Sequence, residues 1–437
     1  MGKSKNVDRR QFLKSAAGLT IGAISFPYVV PSSALGKAGT TAPSNRIVMG
    51  AIGVGSMGTG DMQGFLHKNE VQMVAVCDVD ARYRSRAKRI VDEKYGNDDC
   101  ATYPDFRDLI ARGDLDAVTI ALPDHWHSII YIAAAKAGLD IHGQKPLART
   151  IREGRAICDA VKRYGIIWQT GSWQRSENDF HRAAELVRNG RIGKIHKVDV
   201  GLPTGSSCPT KPPIPVPDTL DWNFWLGPAP YRPHCDFGGG GCHYDWRWIM
   251  DYSGGQLTDW AGHHIDIAHW GLGLDYTGPV QIEGKGVYPK DGLYNVPIEY
   301  RIEYKYADGL EMCVANDREL PKGMGAVWYG EDGWIHVNRG GLWAEPQSIL
   351  KEVIRPNEIR LYKSRDHLQN FLDCVKTRKQ TITPAEVAHR SISVALLGEI
   401  AMLTGRKLKW NPEKERFIND PDADRHLSRS MRSPWHL

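Results

Sequence analysis

Ile47-Val48-Met49-Gly50-Ala51-Ile52-Gly53-Val54-Gly55-Ser56-Met57-Gly58 is the stretch whose reading decides the fold. A short apolar run enters Gly53-x-Gly55-x-x-Gly58, and Thr59 to Leu66 then reads as a helix. Gly53 permits a tight turn, Gly55 lets a pyrophosphate approach the backbone, and Gly58 lets helix and strand pack closely. Ser56 and Met57 lie between them, where the free N–H groups of a helix start face an anion. A second apolar run, Val71 to Cys77, ends in Asp78, 20 residues after Gly58. An acidic side chain at that place accepts hydrogen bonds from an adenosine ribose. A glycine turn alone is also an ordinary structural device; the strand, helix and acid around this one predict a dinucleotide site. Asp78 predicts NAD over NADP, because a carboxylate repels a 2′-phosphate, although Arg82 and Arg84 lie close by in sequence.

The alternation of strand and helix continues outward from this stretch. Strands are predicted at 47–52, 71–77, 117–122, 140–142 and 166–170, and helices at 59–66, 82–94, 106–111, 128–137 and 151–164. Such alternation implies an α/β fold, a doubly wound parallel sheet covered on both faces, with ligands beyond the C-terminal strand ends. Three polar clusters fall at those ends: Asp78, the run Pro123-Asp124-His125-Trp126-His127, and Gln144-Lys145-Pro146. Past Gly171 the pattern changes to loops and alternating runs. Tyr300 to Tyr306 alternates cleanly before the hairpin signal Asp308-Gly309, which predicts an open, mostly antiparallel sheet. Helices at 367–377 and from Thr383-Pro384 to Leu403 close the second half, and 406–437 reads as a polar tail wrapping the surface.

At 437 residues, two domains plus extensions is the natural division. The boundaries read as a leader over 1–36, a linker over 37–45, a nucleotide-binding domain over 46–170, a second domain over 171–405, and the tail. A formal net charge of only +5, without basic runs interleaved with aromatics, argues against a nucleic-acid partner. The leader carries Lys3, Lys5, Arg9, Arg10 and Lys14 ahead of a moderately apolar stretch too short and interrupted for a stable membrane span. Asp8-Arg9-Arg10-Gln11-Phe12-Leu13-Lys14 resembles a twin-arginine export signal, which predicts a periplasmic or otherwise exported protein. None of the eight cysteines forms a CxxC; Cys77 and Cys158 read as buried thiols, and a disulfide among Cys208, Cys235 and Cys242 is open.

A second constellation lies at Thr258-Asp259-Trp260-Ala261-Gly262-His263-His264-Ile265-Asp266, read as a helix. Asp259, His263 and Asp266 recur at i, i+4 and i+7 and so share one face. A carboxylate four residues before a histidine orients the ring and raises its basicity, which suits a general base; a solvated Asp–His pair is the alternative. His263, His264, Asp266 and His269 are also metal-ligand types, but hydride chemistry on an alcohol needs no metal and none is predicted. Lys145, just beyond a strand end, is either an inert strand-capping lysine or a proton-transfer group.

Together the glycine loop, Pro123 to His127, Lys145-Pro146, Gly171-Ser172-Trp173-Gln174-Arg175 and Asp259-x-x-x-His263 resemble the Gfo/Idh/MocA oxidoreductases over roughly Arg46 to Gly405. The resemblance implies a Rossmann domain, a C-terminal α/β domain that often forms homo-oligomers through its sheet, NAD or NADP as cofactor, and a sugar, cyclitol or glycoside as substrate. It implies Lys145, Asp259 and His263 as catalytic and substrate-contacting residues. Leu122, Pro123, His127, Gln144 and Gln174 would lie at the cofactor, and Arg175 at the substrate. His243 to Trp248 looks like a substrate-facing loop, with Trp246 stacking on a sugar and Arg247 binding hydroxyls or a carboxylate. The family's usual Glu-Lys-Pro is Gln144-Lys145-Pro146 here, which removes a negative neighbour of the lysine. Export implies a tightly bound, recycled nucleotide and a redox-neutral reaction: oxidation-assisted glycoside cleavage, epimerisation, or oxidation of one sugar coupled to reduction of another. A non-catalytic sugar- or nucleotide-binding protein is the reading of a different class.

Overall fold

Strands β1 (Ile47–Ile52), β2 (Val71–Cys77), β3 (Ala101–Tyr103), β4 (Ala117–Ile120), β5 (Asp140–Gly143) and β6 (Trp168–Thr170) form a parallel sheet in the order β3-β2-β1-β4-β5-β6. The computed structural model describes residues 45–437. The predicted export signal therefore lies outside the described residues, and Ile47–Leu437 is one compact unit. Ile47, Met49, Ala51 and Ile52 of β1 are all buried, as expected for a strand covered on both faces. The strand order reverses between β1 and β4, so their C-terminal ends diverge and open a crevice where ligands bind in such sheets. β3 was not predicted: three residues are too few for a periodicity signal, and its first residue follows the polar turn Asn97-Asp98-Asp99.

Strands β7 (Ile195–Leu202), β8 (Gln281–Val287), β9 (Glu299–Lys305), β10 (Glu311–Asn316), β11 (Gly325–Gly330), β12 (Gly333–Asn338), β13 (Gly341–Glu345), β14 (Leu408–Asn411) and β15 (Arg416–Phe417) form a second, nine-stranded sheet. It is mixed, since β7 and β10 pair parallel and the other pairs are antiparallel. β9 alternates as its sequence predicts: Tyr300, Ile302 and Tyr304 are buried, while Glu299, Arg301, Glu303 and Lys305 are exposed. The buried face packs on helix Ala385–Thr404, where the Tyr304 hydroxyl donates to the Val394 carbonyl at 2.9 Å. That helix is long and apolar enough to cross a membrane, yet 83% of its most apolar window is buried, which marks it as a core helix.

Two features depart from the sequence reading. Helix His367–Thr377 returns to the first sheet, where Phe371, Leu372 and Cys374 join the core around β1 and β2. The tail does more than wrap the surface: β14 and β15 extend the second sheet, and Ala423 and Leu427 are fully buried. All eight cysteines are buried free thiols. The two sheets are tied by a buried ion pair, Arg149 donating to both oxygens of Glu399 at 2.8 and 2.9 Å.

Candidate active site

β1 runs into Gly53, whose φ of +77° is in the left-handed region that glycine favours. Its amide donates to the Cys77 carbonyl at 2.8 Å, holding the turn against β2. The helix starts at Ser56, three residues before the predicted Thr59, with Gly55 as a cap that offers no side chain. The amides of Ser56 and Met57 therefore belong to the helix N-terminus. A Cβ on Gly55 would meet nothing within 4 Å, so this face is open. A Cβ on Gly58 would stand 1.8 Å from the Gly53 carbonyl oxygen, so only glycine lets the turn close.

Asp78 closes the other side of the turn. Its carboxylate accepts from the amides of Val54 and Asp80, each at 2.9 Å. Burial pushes this carboxyl up, against the two amides and the nearby His243 ring. The two arginines nearby are engaged elsewhere: Arg82 pairs with Asp80 at 2.8 Å, and Arg84 donates to the Asp78 backbone carbonyl at 2.5 Å.

The crevice between β1 and β4 is the floor of one cavity. Gly53, Gly55, Ser56, Met57, Gly58 and Asp78 line it from one side, and Leu122, Pro123, Gln144, Lys145 and Asp259 from another. Its roof is an aromatic cap from the 205–252 segment, including Phe224, Trp225, His243, Tyr244, Trp246 and Arg247. This segment is anchored to the first sheet where the Ala81 amide donates to the Thr219 carbonyl at 2.8 Å and His243 meets Asp80 at 3.1 Å. Most of its aromatics are packing: Trp222, Trp225, Phe237 and Tyr252 form a buried cluster. Trp246 and Arg247 line the cavity. Pro104 and Phe106 also line it, and they follow the unpredicted strand β3.

Lys145 Nζ donates to Asp259 Oδ1 at 2.8 Å. Burial works to raise the Asp259 carboxyl, but the charges of Lys145, Arg247 and Arg339 outweigh it and hold it below its ordinary value. Asp259 is thus an ionised partner of the lysine, whereas the periodicity argument made it the orienting partner of His263. The reason lies in the backbone. Gly255–Trp260 is α-helical, but Ala261–Ile265 is a π-turn. One extra residue in a turn rotates the later residues by about 100°, so Asp259, His263 and Asp266 have three different sets of neighbours. His263 is buried, its ring edge-on to Trp173 and Trp260, and its Nδ1 has no hydrogen-bond partner among the described residues. Burial drives its pKa well below the ordinary histidine value, so the ring is neutral and burial opposes its protonation; unlike Lys145 and Asp259, it does not line the cavity.

Three other sequence assignments fall away from the cavity. Arg175 is buried, donating to Asp266 at 2.7 and 2.9 Å and to Asp275 at 2.8 and 3.2 Å, and its guanidinium stacks on Trp270. It is an internal clamp and does not line the cavity. Replacing Arg175 by alanine is expected to leave the buried Asp266 and the partly buried Asp275 without their arginine and to cost about 3–5 kcal/mol of stability; a loss of substrate affinity at unchanged thermal stability would contradict this. Gln174 is buried between His264 and Arg339. His127 places its ring nitrogens 2.7 Å from the Pro146 carbonyl and 2.9 Å from that of Leu122; burial takes its pKa down to about 4. It braces the β4 and β5 ends from behind. Its neighbours are joints as well: Asp124 accepts from the Ser253 hydroxyl at 2.6 Å, and His125 and Trp126 both reach the Trp225 carbonyl.

Gln144 donates through Nε2 to Asp61 Oδ2 at 2.8 Å. Asp61 lies on the glycine-loop helix and was not singled out from sequence. The carboxylate missing at position 144 therefore reappears one hydrogen bond away. Burial pushes the Asp61 carboxyl up to about 6, opposed by the Gln144 hydrogen bond and the Lys145 charge. Below that pH it is neutral. Above it, the ionised form favours the Lys145 ammonium. The pH profile of kcat/KM is expected to carry an inflection near 6 that Asp61→Asn removes; an unchanged inflection in the variant would assign it to another group.

The turn, the open Gly55 face and Asp78 fit a dinucleotide, and the comparisons agree. Residues 47–172 match the Gfo/Idh/MocA oxidoreductase model described as an NAD-binding Rossmann fold. Residues 183–437 match the oxidoreductase C-terminal alpha/beta domain model. An α-N-acetylgalactosaminidase from Shewanella oneidensis is 32% identical over 207 residues, which is 44% of this chain and 44% of the relative, so the match spans less than half of either protein. Among solved structures, GenD2 from gentamicin A biosynthesis in complex with NAD has a TM-score of 0.61 at 18% identity, covering 85% of this chain and 98% of that one. The aldose-aldose oxidoreductase from Caulobacter crescentus, complexed with glycerol, has a TM-score of 0.59 at 17% identity, covering 83% and 99%. At these identities the likeness is one of fold. Taken with the C-terminal model, which matches more than half of the sequence, these findings show that the chain belongs to the Gfo/Idh/MocA oxidoreductase family.

Proposed function

We propose that this protein is an NAD-dependent oxidoreductase acting on a hydroxyl-bearing carbon of a sugar, cyclitol or glycoside. The observation that carries the reading is the Lys145–Asp259 pair, set in the wall of the same cavity as the glycine loop. NAD, when bound, supplies the hydride acceptor. The chain's own residues do the rest. Lys145, held by Asp259, donates a hydrogen bond to the reacting hydroxyl and stabilises the negative charge that develops on its oxygen. His263, whose Nδ1 has no hydrogen-bond partner among the described residues, is the proposed acceptor of the hydroxyl proton from behind the cavity wall, and its burial works against holding that proton, so that the proton is passed on. The aromatic cap covers part of the cavity.

A second reading shares the same first step: the substrate is oxidised, its leaving group departs together with a proton from the neighbouring carbon, water adds across the double bond so formed, and the ketone is reduced again before release, so that the net change is hydrolysis with no redox change. The 32% identical relative called an α-N-acetylgalactosaminidase favours it. So does the Arg9-Arg10-Gln11-Phe12-Leu13-Lys14 motif, because an exported enzyme would keep its nucleotide. Assembly through the open sheet face, where Arg301 pairs with Glu303 at 2.9 Å, belongs to both readings and is checked by light scattering. To separate them, folded protein is denatured and the released nucleotide quantified, while glycosides are screened for NADH absorbance and for product release. Near-stoichiometric NAD with product and no accumulating NADH supports the redox-neutral reading. Nucleotide-free protein that turns over with added NAD supports the plain dehydrogenase.

A further inference from the structure

The β12–β13 turn brings Arg339 to the Lys145–Asp259–His263 cluster. Its guanidinium lies between two indoles, 4.6 Å from the Trp173 ring centre and 4.5 Å from that of Trp260. Both indoles meet the His263 ring edge-on. Nε donates to Gln174 Oε1 at 3.3 Å, and no carboxylate among the described residues forms an ion pair with Arg339. The buried arginines of this chain behave differently: Arg149 and Arg175 each hold a carboxylate by two hydrogen bonds. A guanidinium fixed between two aromatic faces has already lost its rotamer freedom, and its outer edge remains free for a bidentate acceptor.

A second arginine repeats the arrangement. Arg247 lies 3.9 Å over the Tyr244 ring and 5.1 Å from the Trp246 ring centre, and it too forms no ion pair with a carboxylate among the described residues. The charges of Lys145, Arg247 and Arg339 all act on Asp259, whose carboxylate is paired with Lys145 alone. With His263 neutral and Asp61 ionised above about pH 6, the three cations still outnumber the carboxylates that face them, Asp259 and Asp61. The pyrophosphate of a dinucleotide at the glycine loop does not account for Arg339, which is not among the residues lining that cavity.

We propose that the substrate is an anionic sugar, carrying a carboxylate or a sulfate ester, and that Arg339, fixed between Trp173 and Trp260, receives the anionic group. Arg247 adds to the same field. This deepens the reading above and rests on it only in placing the sugar beside Lys145.

The test is equilibrium binding to the purified, nucleotide-loaded protein by calorimetry, which needs no turnover. The probes are D-glucuronate, D-galacturonate and D-galactose 6-sulfate, each against its neutral parent sugar. At least one anionic sugar is expected to bind about tenfold or more tightly than its parent, the scale of one charge-assisted hydrogen-bonded pair, with affinity falling as salt rises. Arg339→Gln is expected to bring that ratio close to one, and Arg339→Lys to restore only part of it, because a lysine lacks the planar fork. Arg339 lies on an exposed turn, and unchanged thermal unfolding of both variants checks that they fold. Preference for the carboxylate or for the sulfate separates the two sources of charge. Equal or tighter binding of the neutral parents, no binding of any anionic probe, or a ratio unchanged in Arg339→Gln would overturn the proposal. Failure of the oxidoreductase reading looks different: anionic sugars would bind with the Arg339 dependence intact, yet no NADH signal would accompany any of them.

Discussion

Lys145→Ala is expected to lower kcat on the order of 100- to 10,000-fold, the range of a lost proton-transfer group, while the purified variant still carries its nucleotide. Lys145 is the cation that both holds Asp259, at 2.8 Å, and faces the cavity. Its removal strips the reacting hydroxyl of its hydrogen-bond donor and leaves a largely buried carboxylate without its closest counter-charge. Part of the damage is therefore electrostatic, and Lys145→Met with Asp259→Asn in the same chain separates the two effects: if only charge balance matters, the double variant recovers activity. A non-catalytic sugar- or nucleotide-binding protein would behave otherwise, with ligand affinity retained and no turnover to lose in the unmodified chain.

Gly58→Val is the second large effect, and it acts on the nucleotide instead of on the chemistry. A Cβ at this position would overlap the Gly53 carbonyl oxygen at 1.8 Å, and that atom is backbone in a turn pinned to β2. Relief requires the helix Ser56–Leu66 to move away from β1, and the amides of Ser56 and Met57 move with it. Overpacking of this kind costs about 1–3 kcal/mol. Carried into binding, that is about a 5- to 150-fold loss of NAD affinity. Nucleotide content after purification and the thermal unfolding midpoint report the two consequences separately. Full nucleotide retention in Gly58→Val would mean that the loop does not hold the pyrophosphate.

The first sheet was legible because each of its signals is local. The glycine spacing, the apolar strand and the acid at Asp78 are all set within one strand–helix–strand unit, and the structure places them around one turn. The alternation of β9 was legible for the same reason: one covered face imposes period two. The parts that escaped are those in which partners come from far along the chain or the period is broken. Arg175 meets Asp266 and Asp275 from 91 and 100 positions away, so a polar residue in a motif looked like a substrate contact and is an internal clamp. Gln144 finds Asp61 across 83 positions, so what looked like a lost carboxylate is a relocated one. The helical face proposed for Asp259 and His263 presumed 3.6 residues per turn, and the π-turn at Ala261–Ile265 breaks it just where the two residues separate. Arg339 had no signal at all. It stands in a hairpin turn of the second sheet, and only the fold brings that turn to Trp173 and Trp260.

The central claim is that Lys145, Asp259 and His263 serve a hydride transfer to a nucleotide held by the glycine loop. Rapid mixing of the nucleotide-loaded protein with a glycoside or sugar that it converts, with NADH absorbance recorded within a single turnover, tests it most directly. The account predicts an NADH signal that rises before or with product in the unmodified chain, persists in a plain dehydrogenase, decays within the turnover in a redox-neutral enzyme, and is lost in Lys145→Ala. Product formation at full rate from nucleotide-free protein, with no NADH signal at any time, would contradict it.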